Sequence, residues 1–371
     1  MPTKPLVTVL MTVYNGAEYL NASVQSIIDQ TFKNFEFLIV NDCSTDDSVK
    51  IIKSFNDDRV VIYDNEKNIG QTKSLNIGLK LAKGKYIARI DADDVAFPLW
   101  LEKLEGFIRK HPEYAAVSPS VIIIDSADKR KKIRRVPASF HEIIFNIFYD
   151  SPMNHVSVLL NKNLILENGG YDEDFMVTQD YELWSSLVRN NYSITNISDI
   201  LMSCRVHSSS TLFVEASKKA LKEKSETIFR NINSFANLKL TYDDAVGICK
   251  LFYHTPELSQ EEFERAETNF VKIYSNLKEK FRLPSKFVKS EVKAIMSKPY
   301  CKLAVSNIQN NKIKDARRIA LMYCRRYGFC AMPFLIFVTT FSSLEMSKKL
   351  PVIYEKWLEI RTGILTRLRF T

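Results

Sequence analysis

Several features that mark other protein classes are scarce or missing in this chain. Only 10 of its 371 residues are glycine, which excludes glycine-repeat architectures. The six cysteines form no CxxC pair and no cysteine–histidine cluster, so we expect reduced thiols and no structural zinc site. Neither GxGxxG nor GxxxxGK[ST] occurs, which argues against dinucleotide dehydrogenases and P-loop enzymes.

Long apolar runs are missing as well. The first residues lead directly into a predicted strand without an apolar signal region, which favours a cytoplasmic protein. The most apolar stretch, 329–341, is shorter than the roughly 20 residues that a membrane span needs, and it contains Pro333. We therefore predict a buried helix or a helix lying in the membrane plane at 329–341.

The length and the charge distribution both indicate two domains. One hydrophobic core rarely exceeds about 250–300 residues, and this chain is longer. Residues 1–215 carry 23 Lys+Arg against 28 Asp+Glu, a net charge of −5, whereas residues 216–371 carry 29 against 15, a net of +14. We place the boundary near 214–217. The basic half could meet an anionic membrane surface, nucleic acid or a phosphorylated substrate, or it could be a solvated helical face.

The acidic half alternates between strand and helix patterns. Continuous apolar runs are typical of buried strands, and they occur at 6–13, 35–41, 60–63 and 86–91. Helical spacing occurs at 17–29, 46–55 and 72–82. These βαβ units predict a mainly parallel sheet with flanking helices, which binds ligands at the carboxyl ends of its strands. Further strands are predicted at 156–160 and 200–206 and a helix at 179–189. After residue 215 we predict helices alone: 218–235, 243–252, 260–280, 286–297 and a hairpin of 301–310 with 313–327.

Carboxylates and amides follow three of these strands, which predicts a site where the strands end. Asp91 and Asp93 lie at i and i+2 after a buried strand, and such oxygen ligands suit Mg²⁺ or Mn²⁺ on a substrate diphosphate. Equally, these aspartates could serve a turn before the next helix. Asp42 could contact a base or a ribose hydroxyl, or it could form an Asx turn.

Other polar residues allow both a functional and a structural interpretation. Asp180 lies in the first turn of a predicted helix, where the helix dipole favours an anion. His155, which precedes a predicted strand, is interpreted as structural. Arg205 and His207 end another strand and could face a diphosphate or a metal, although Arg205 could simply form a salt bridge to acidic neighbours.

Taken together, these motifs resemble the family 2 glycosyltransferases, inverting enzymes of the GT-A fold that use a nucleotide-sugar donor. The resemblance covers about residues 5–210. It rests on the order and spacing of TVYN at 12–15, NDCSTD at 41–46, NIG at 68–70, LNIGL at 75–79, DADD at 91–94, His155, GGYD at 169–172, DYELW at 180–184 and RVH at 205–207. No QxxRW segment follows Trp184, so the chain does not resemble the processive polysaccharide synthases.

The resemblance implies roles for individual residues. The donor, with uracil as the usual base, would be bound by Thr12, Tyr14, Asn15, Asp42, Asn68, Lys73, Asp91, Ala92 and Arg205. Asp93 would bind Mg²⁺ or Mn²⁺, His207 would be a second metal ligand, and Asp180 would be the general base. Three positions depart from the family pattern: Asn41 replaces a common Asp, Cys43 a frequent Gly and Gln179 the common Glu before the base.

The resemblance also implies an acceptor and a location. The acceptor would be a glycan or a polyprenyl-diphosphate-linked sugar in the synthesis of a bacterial surface polysaccharide or lipopolysaccharide. We expect no nucleic-acid partner. The basic half, with Arg317, Arg318, Arg325 and Arg326 next to 329–341, would dock on the anionic inner face of the cell membrane. Alternatively, it would bury 329–341 within itself or against a second subunit.

Two functions from other classes compete with this interpretation. A sugar-phosphate nucleotidyltransferase would need a glycine-rich loop directly after the first strand, where only Gly16 is found. A non-catalytic membrane-binding or sugar-binding module would tolerate the loss of Asp42, Asp91, Asp93 and Asp180, but all four are present.

Overall fold

The computed structural model describes residues 4–207, 218–236 and 238–328. The chain forms two compact units, 1–227 and 228–371. The predicted boundary at 214–217 and the apolar stretch 329–341 lie outside the described residues, so both remain predictions.

Within the described residues, the first unit is an α/β fold around a nine-stranded sheet. Its strands are β1 (Val7–Val13), β2 (Phe35–Asn41), β3 (Val60–Asp64), β4 (Tyr86–Asp91), β5 (Val95–Ala96), β6 (Tyr114–Asp125), β7 (Arg130–Arg134), β8 (Leu159–Asn161) and β9 (Ser193–Val206). Its helices are α1 (Ala17–Ile28), α2 (Ser48–Ser54), α3 (Gln71–Leu81), α4 (Trp100–Lys110), α5 (Phe140–Asn146), α6 (Lys162–Glu167) and α7 (Gln179–Arg189), and α8 (Lys218–Phe235) begins in it.

The sheet has the strand order β3-β2-β1-β4-β8-β6-β9-β5, with β7 paired to β6. β1, β2, β3 and β4 are parallel to one another, as the βαβ pattern predicts. From the antiparallel pair of β4 with β8 onward, the sheet is mixed. Every residue of β1 and β2 is buried, which explains their continuous apolar sequences. The carboxyl ends of β1, β2 and β4 therefore meet at one edge, where the polar residues were predicted to gather.

Two predicted strands differ from the observed ones. The segment predicted as strand 156–160 begins with a 3₁₀ turn at His155–Ser157, and β8 follows at Leu159–Asn161. The strand predicted at 200–206 is the end of the longer β9. The first half of β9 is rich in polar residues and lacks the sequence pattern of a strand, but it pairs in parallel with β6 through several register irregularities. Tertiary pairing thus overrides the local sequence preference.

The second unit is helical in its described part. After the rest of α8 it contains α9 (Tyr242–Tyr253), α10 (Gln260–Lys280), α11 (Ser285–Gln309) and α12 (Ile313–Tyr327). α11 and α12 form the predicted hairpin. The helices predicted at 286–297 and 301–310 are one helix that continues through Pro299. The buried side chains of Met296, Tyr300 and Ala304 on either side of the proline explain the continuity, since packing stabilises a helix beyond its intrinsic propensity. Among the described residues, no helix combines the length and hydropathy that crossing a membrane requires.

Candidate active site

A cavity of about 700 Å³ lies at the carboxyl ends of β1, β2 and β4. The structure brings eleven of the twelve predicted site residues together in its wall: Thr12, Tyr14, Asn15, Asp42, Asn68, Asp91, Ala92, Asp93, Asp180, Arg205 and His207. The twelfth, Lys73, is exposed on α3 and is not among the described residues that line the cavity.

Asp42 organises one end of the cavity. Its carboxylate, only 3% exposed, accepts hydrogen bonds from the Asn65 side chain and from the backbone N–H groups of Ile69 and Gly70 at 2.8–2.9 Å. Asp42 does not form the Asx turn that was its alternative role, because its carboxylate accepts from residues 65, 69 and 70. The local side-chain contact is made by Asn41, whose Oδ1 accepts the Ser44 N–H at 3.1 Å. Asp42 thus fixes the 65–70 loop, and it also lies in the cavity wall.

Two residues in the loops after β1 and β2 have left-handed backbone conformations. Asn15 has a φ of 52° and Cys43 a φ of 63°. Glycine adopts this region without the steric penalty of a Cβ atom, so the structure explains why a glycine would suit position 43. Asn15 secures the turn by accepting the Thr45 N–H at 2.8 Å and by donating its own N–H to the Ser44 hydroxyl.

Three carboxylates follow β4 as a cluster suited to a divalent cation. Asp91, Asp93 and Asp94 each offer an oxygen within 4.8 Å of the others. Asp94 is 1% exposed, and its Oδ2 is buried without a hydrogen-bond partner in the described part of the chain. Burial, with Asp93 and Asp91 adding to it, raises the pKa of Asp94 well above its usual range. A bound cation would give Asp94 Oδ2 a partner and would offset the mutual repulsion of the three carboxylates.

His207 and Arg205 reach this cluster from the end of β9. The Nε2 atom of His207 lies 2.9 Å from Asp93 Oδ2, which places the two predicted metal ligands side by side. Arg205 donates to the carbonyl oxygens of Asp93 and Asp125 and pairs with Asp128 at 2.8 Å. Those contacts match the structural alternative for Arg205. Its assignment to the donor remains a prediction.

A chain of polar contacts connects Asp91 with the start of α7. Arg89 pairs with Asp91 Oδ1, which also accepts a hydrogen bond from the Gln71 side chain at 3.1 Å. The Oε1 of Gln71 in turn accepts from the Gln179 side chain at 3.0 Å. Burial raises the pKa of Asp91, and Arg89 opposes that rise. The neutral amide at position 179, where the family has an acid, thus fits next to the acidic cluster.

Asp180 lies in the first turn of α7 and faces the same cavity. Its Oδ2 accepts the Ser151 hydroxyl at 3.2 Å. Nearby, buried His155 also lines the cavity, and its Nε2 forms a 2.7 Å hydrogen bond with the Tyr171 hydroxyl. Burial, together with the positive charge of Arg89, lowers the pKa of His155 well below its usual range, so the ring is neutral at pH 7.

Sequence reasoning missed three residues of this site. Asp94 belongs to the DADD motif but was assigned no role of its own, although its carboxylate lies beside those of Asp91 and Asp93. It does not cap the next helix, because α4 begins only at Trp100 and has Leu99 as its N-cap. Arg89 had a signal, because a charged residue inside an otherwise apolar strand needs a partner. Gln71 had none, since its contact with Asp91 arises only because α3 and β4 are neighbours in the fold.

Known structures share this architecture. Residues 1–349 of S. aureus TarS, solved in complex with UDP-GlcNAc, superpose with a TM-score of 0.52 at 18% identity, covering 88% of this chain and 93% of that one. The mannosyltransferase PcManGT from Pyrobaculum calidifontis, solved with GDP-Man and Mn²⁺, gives 0.51 at 13% identity, covering 92% and 88%. At these identities the similarity shows the fold, and it confirms the predicted GT-A-like architecture.

Sequence comparison identifies the family. The profile described as Glycosyl transferase family 2 matches residues 8–168. An uncharacterized glycosyltransferase of Haemophilus influenzae is 30% identical over 267 residues, 68% of this chain and 82% of that protein. The amylovoran biosynthesis glycosyltransferase AmsE of Erwinia amylovora is 30% identical over 205 residues, 54% and 76% of the two chains. The chain is a glycosyltransferase and belongs to glycosyl transferase family 2.

Proposed function

We propose that this glycosyltransferase moves a sugar with inversion from a UDP-sugar to an acceptor hydroxyl. The observation that carries the proposal is one cavity with two kinds of carboxylate: the Asp91–Asp93–Asp94 cluster beside His207, and Asp180 at the start of α7. Asp180 takes the proton from the acceptor hydroxyl as its oxygen bonds to the anomeric carbon. The bond from that carbon to the diphosphate breaks, and the nucleoside diphosphate leaves.

Asp93 and His207 would hold a Mg²⁺ or Mn²⁺ ion, with Asp91 and Asp94 completing a mainly oxygen ligand set. When bound, such an ion neutralises the negative charge that develops on the diphosphate. The Mn²⁺ in the PcManGT complex supports this assignment. We expect Asp93→Ala to abolish turnover and the protection from thermal unfolding that UDP gives in the presence of Mn²⁺. Asp58→Ala, an exposed aspartate in a distant turn, is the matched control. Near-normal activity of Asp93→Ala with a chelator present would contradict the metal site.

The two structural neighbours differ in the nucleotide of their donors, UDP-GlcNAc and GDP-Man. We propose uracil, with Thr12, Tyr14, Asn15, Asp42 and Asn68 around the nucleoside. A panel of UDP-sugars and GDP-sugars, each tested with Mn²⁺ for protection from thermal unfolding, decides this. We expect a UDP-sugar to give the largest shift and to release UDP on turnover. Protection by GDP-mannose alone would contradict it.

For the acceptor, we propose a glycan or a polyprenyl-diphosphate-linked sugar in polysaccharide synthesis, as the similarity to AmsE supports. We further propose that the enzyme is cytoplasmic and that its basic helices dock on the anionic inner face of the membrane. Of the four predicted arginines on α12, Arg326 pairs with Glu267 and Glu264. The other three support docking: Arg317, Arg318 and Arg325. Each is worth about 1 kcal/mol near an anionic surface.

Liposome co-sedimentation tests the docking. Binding should require phosphatidylglycerol in phosphatidylcholine vesicles and should weaken as salt rises. Equal recovery in the supernatant with and without phosphatidylglycerol at low salt would refute docking. It would favour the alternative that the helices pack within the chain or form a homo-oligomer.

A further inference from the structure

One carboxylate from the helix after the family domain binds the backbone just before Asp180. Glu223 lies on α8, beyond the matched residues 8–168, and is 6% exposed. Its Oε1 accepts the Met176 N–H at 3.1 Å, and its Oε2 accepts the N–H groups of Val177 and Thr178 at 2.9 and 2.8 Å. The Thr178 hydroxyl adds a fourth contact at 3.2 Å.

These donors belong to the entry of α7. Thr178 is the N-cap residue of that helix, but its side chain does not cap the helix. Its hydroxyl donates to Glu223 instead. The first N–H groups of a helix lack partners within the helix, and they carry the positive end of its dipole. Glu223 satisfies the N–H groups that lead into the helix and supplies the anion that the dipole favours. Asp180 follows only two residues after Thr178.

The preceding part of the same segment is held by α3. The Thr72 hydroxyl donates to the Phe175 carbonyl at 2.7 Å, and the Asn76 side chain bonds both the N–H and the carbonyl of Tyr171 at 2.9 Å. From Tyr171 to Phe175 the segment is therefore fixed by the family domain. From Met176 to Thr178, the backbone N–H groups donate to Glu223.

We propose that Glu223 is a positioning residue that sets the orientation of Asp180 by anchoring residues 176–178. The proposal rests on the proposed role of Asp180 as general base. Under this proposal, α8, which is the first helix of the basic half in the sequence, contributes to the geometry of the active site. A displacement of about 1 Å at a reacting group can cost about 10²-fold in rate, so a loosened entry to α7 should reduce turnover more than donor binding.

The test compares Glu223→Ala and Glu223→Gln with Glu226→Gln, a half-buried glutamate one turn further along α8. Turnover is UDP release from a mixture of UDP-glucose, UDP-galactose and UDP-GlcNAc with Mn²⁺ and water as acceptor. Donor binding is measured as the dissociation constant of UDP from the enzyme in the presence of Mn²⁺. We expect Glu223→Ala to lose 10- to 100-fold in kcat with UDP affinity changed less than twofold. Glu223→Gln, which keeps a carbonyl acceptor, should recover part of that loss, and Glu226→Gln should match the unmodified enzyme.

A double variant distinguishes this positioning role from a loss of structure that does not act through Asp180. If Glu223 acts through Asp180, Asp180→Asn combined with Glu223→Gln should be no slower than Asp180→Asn alone. A multiplicative loss would refute the positioning role, as would an unchanged kcat in both Glu223 variants or a parallel loss of UDP affinity. By contrast, failure of the unmodified enzyme to release UDP from any of the three donors would refute the proposed function itself.

Discussion

Each of the two compact units buries a carboxylate, but the carboxylates have different surroundings. In the helical unit, Glu267 is 3% exposed and accepts hydrogen bonds from the hydroxyls of Tyr300 and Tyr327, and Arg326 pairs with it. In the α/β unit, Asp94 is equally buried, but only its Oδ1 has a partner in the described chain, the N–H of Arg205 at 2.8 Å. The first carboxylate has partners from its own chain, whereas the second lines a cavity with one oxygen that has no partner among the described residues.

This difference separates a structural polar cluster from a binding site. A buried polar group without a partner costs free energy, and folds keep it where a ligand supplies the missing contact. Among the described residues, four with such atoms line the same cavity: Arg89, Asp94, Asn154 and Gln179. Glu267 should therefore matter for stability, and the cavity residues should matter for chemistry.

The largest expected effect is on the catalytic rate. Asp180→Asn is nearly isosteric but cannot accept the acceptor proton, so we expect turnover to fall by roughly 10²–10⁴-fold. The UDP dissociation constant and the melting temperature should stay unchanged, because the substitution leaves the Asp91 cluster intact. UDP release and calorimetric titration with UDP and Mn²⁺ check this. Unchanged turnover would contradict the assignment of Asp180 as the base.

The opposite pattern is expected for the helical unit. Glu267→Ala leaves the buried hydroxyl of Tyr300, the half-buried Tyr327 and Arg326 without their shared acceptor. Breaking a fully buried pair costs about 3–5 kcal/mol, and since Arg326 is partly exposed we expect about 2 kcal/mol. Urea unfolding followed by circular dichroism measures it, with Glu264→Ala, a more exposed neighbour, as control. If Glu267→Ala kept its stability but lost UDP binding, Glu267 would belong to a binding site and not to a structural cluster.

Local patterns predicted the elements and the edge of the sheet where the site lies. Each of these patterns lies within one continuous stretch of sequence: the apolar runs of β1 and β2, and the aspartates after β4. Hydrophobic periodicity and the direction of the strands were therefore enough to place them. Contacts such as Gln71 with Asp91, or Glu223 with Thr178, could not be predicted in this way. They connect segments that are neighbours only after the chain has folded.

The Gln71–Gln179 contact offers a finer test of the cavity. A carboxylate at position 179 cannot donate to Gln71 Oε1, so Gln71 would have to turn its amide and give up its hydrogen bond to Asp91. We expect Gln179→Glu to weaken UDP binding about tenfold, the effect of one hydrogen bond to a charged group. Gln309→Glu at the exposed end of α11 is the control. Tighter UDP binding by Gln179→Glu would contradict the role assigned to the amide pair.

The smallest effect concerns the pH dependence of stability. Burial keeps the pKa of His155 well below 6.5 in the folded state, whereas the unfolded chain takes up this proton near pH 6.5. The unfolded state then binds more protons as the pH falls, so His155 lowers the free energy of unfolding by about 1 kcal/mol between pH 6.5 and 5.5. Urea unfolding at pH 7.5, 6.5 and 5.5 should show a shallower pH dependence for His155→Gln. Tyr171→Phe, which removes the hydrogen bond but keeps the imidazole, should retain the steeper dependence. Equal pH dependence in His155→Gln and the unmodified enzyme would show that this buried ring does not destabilise the α/β unit in acid.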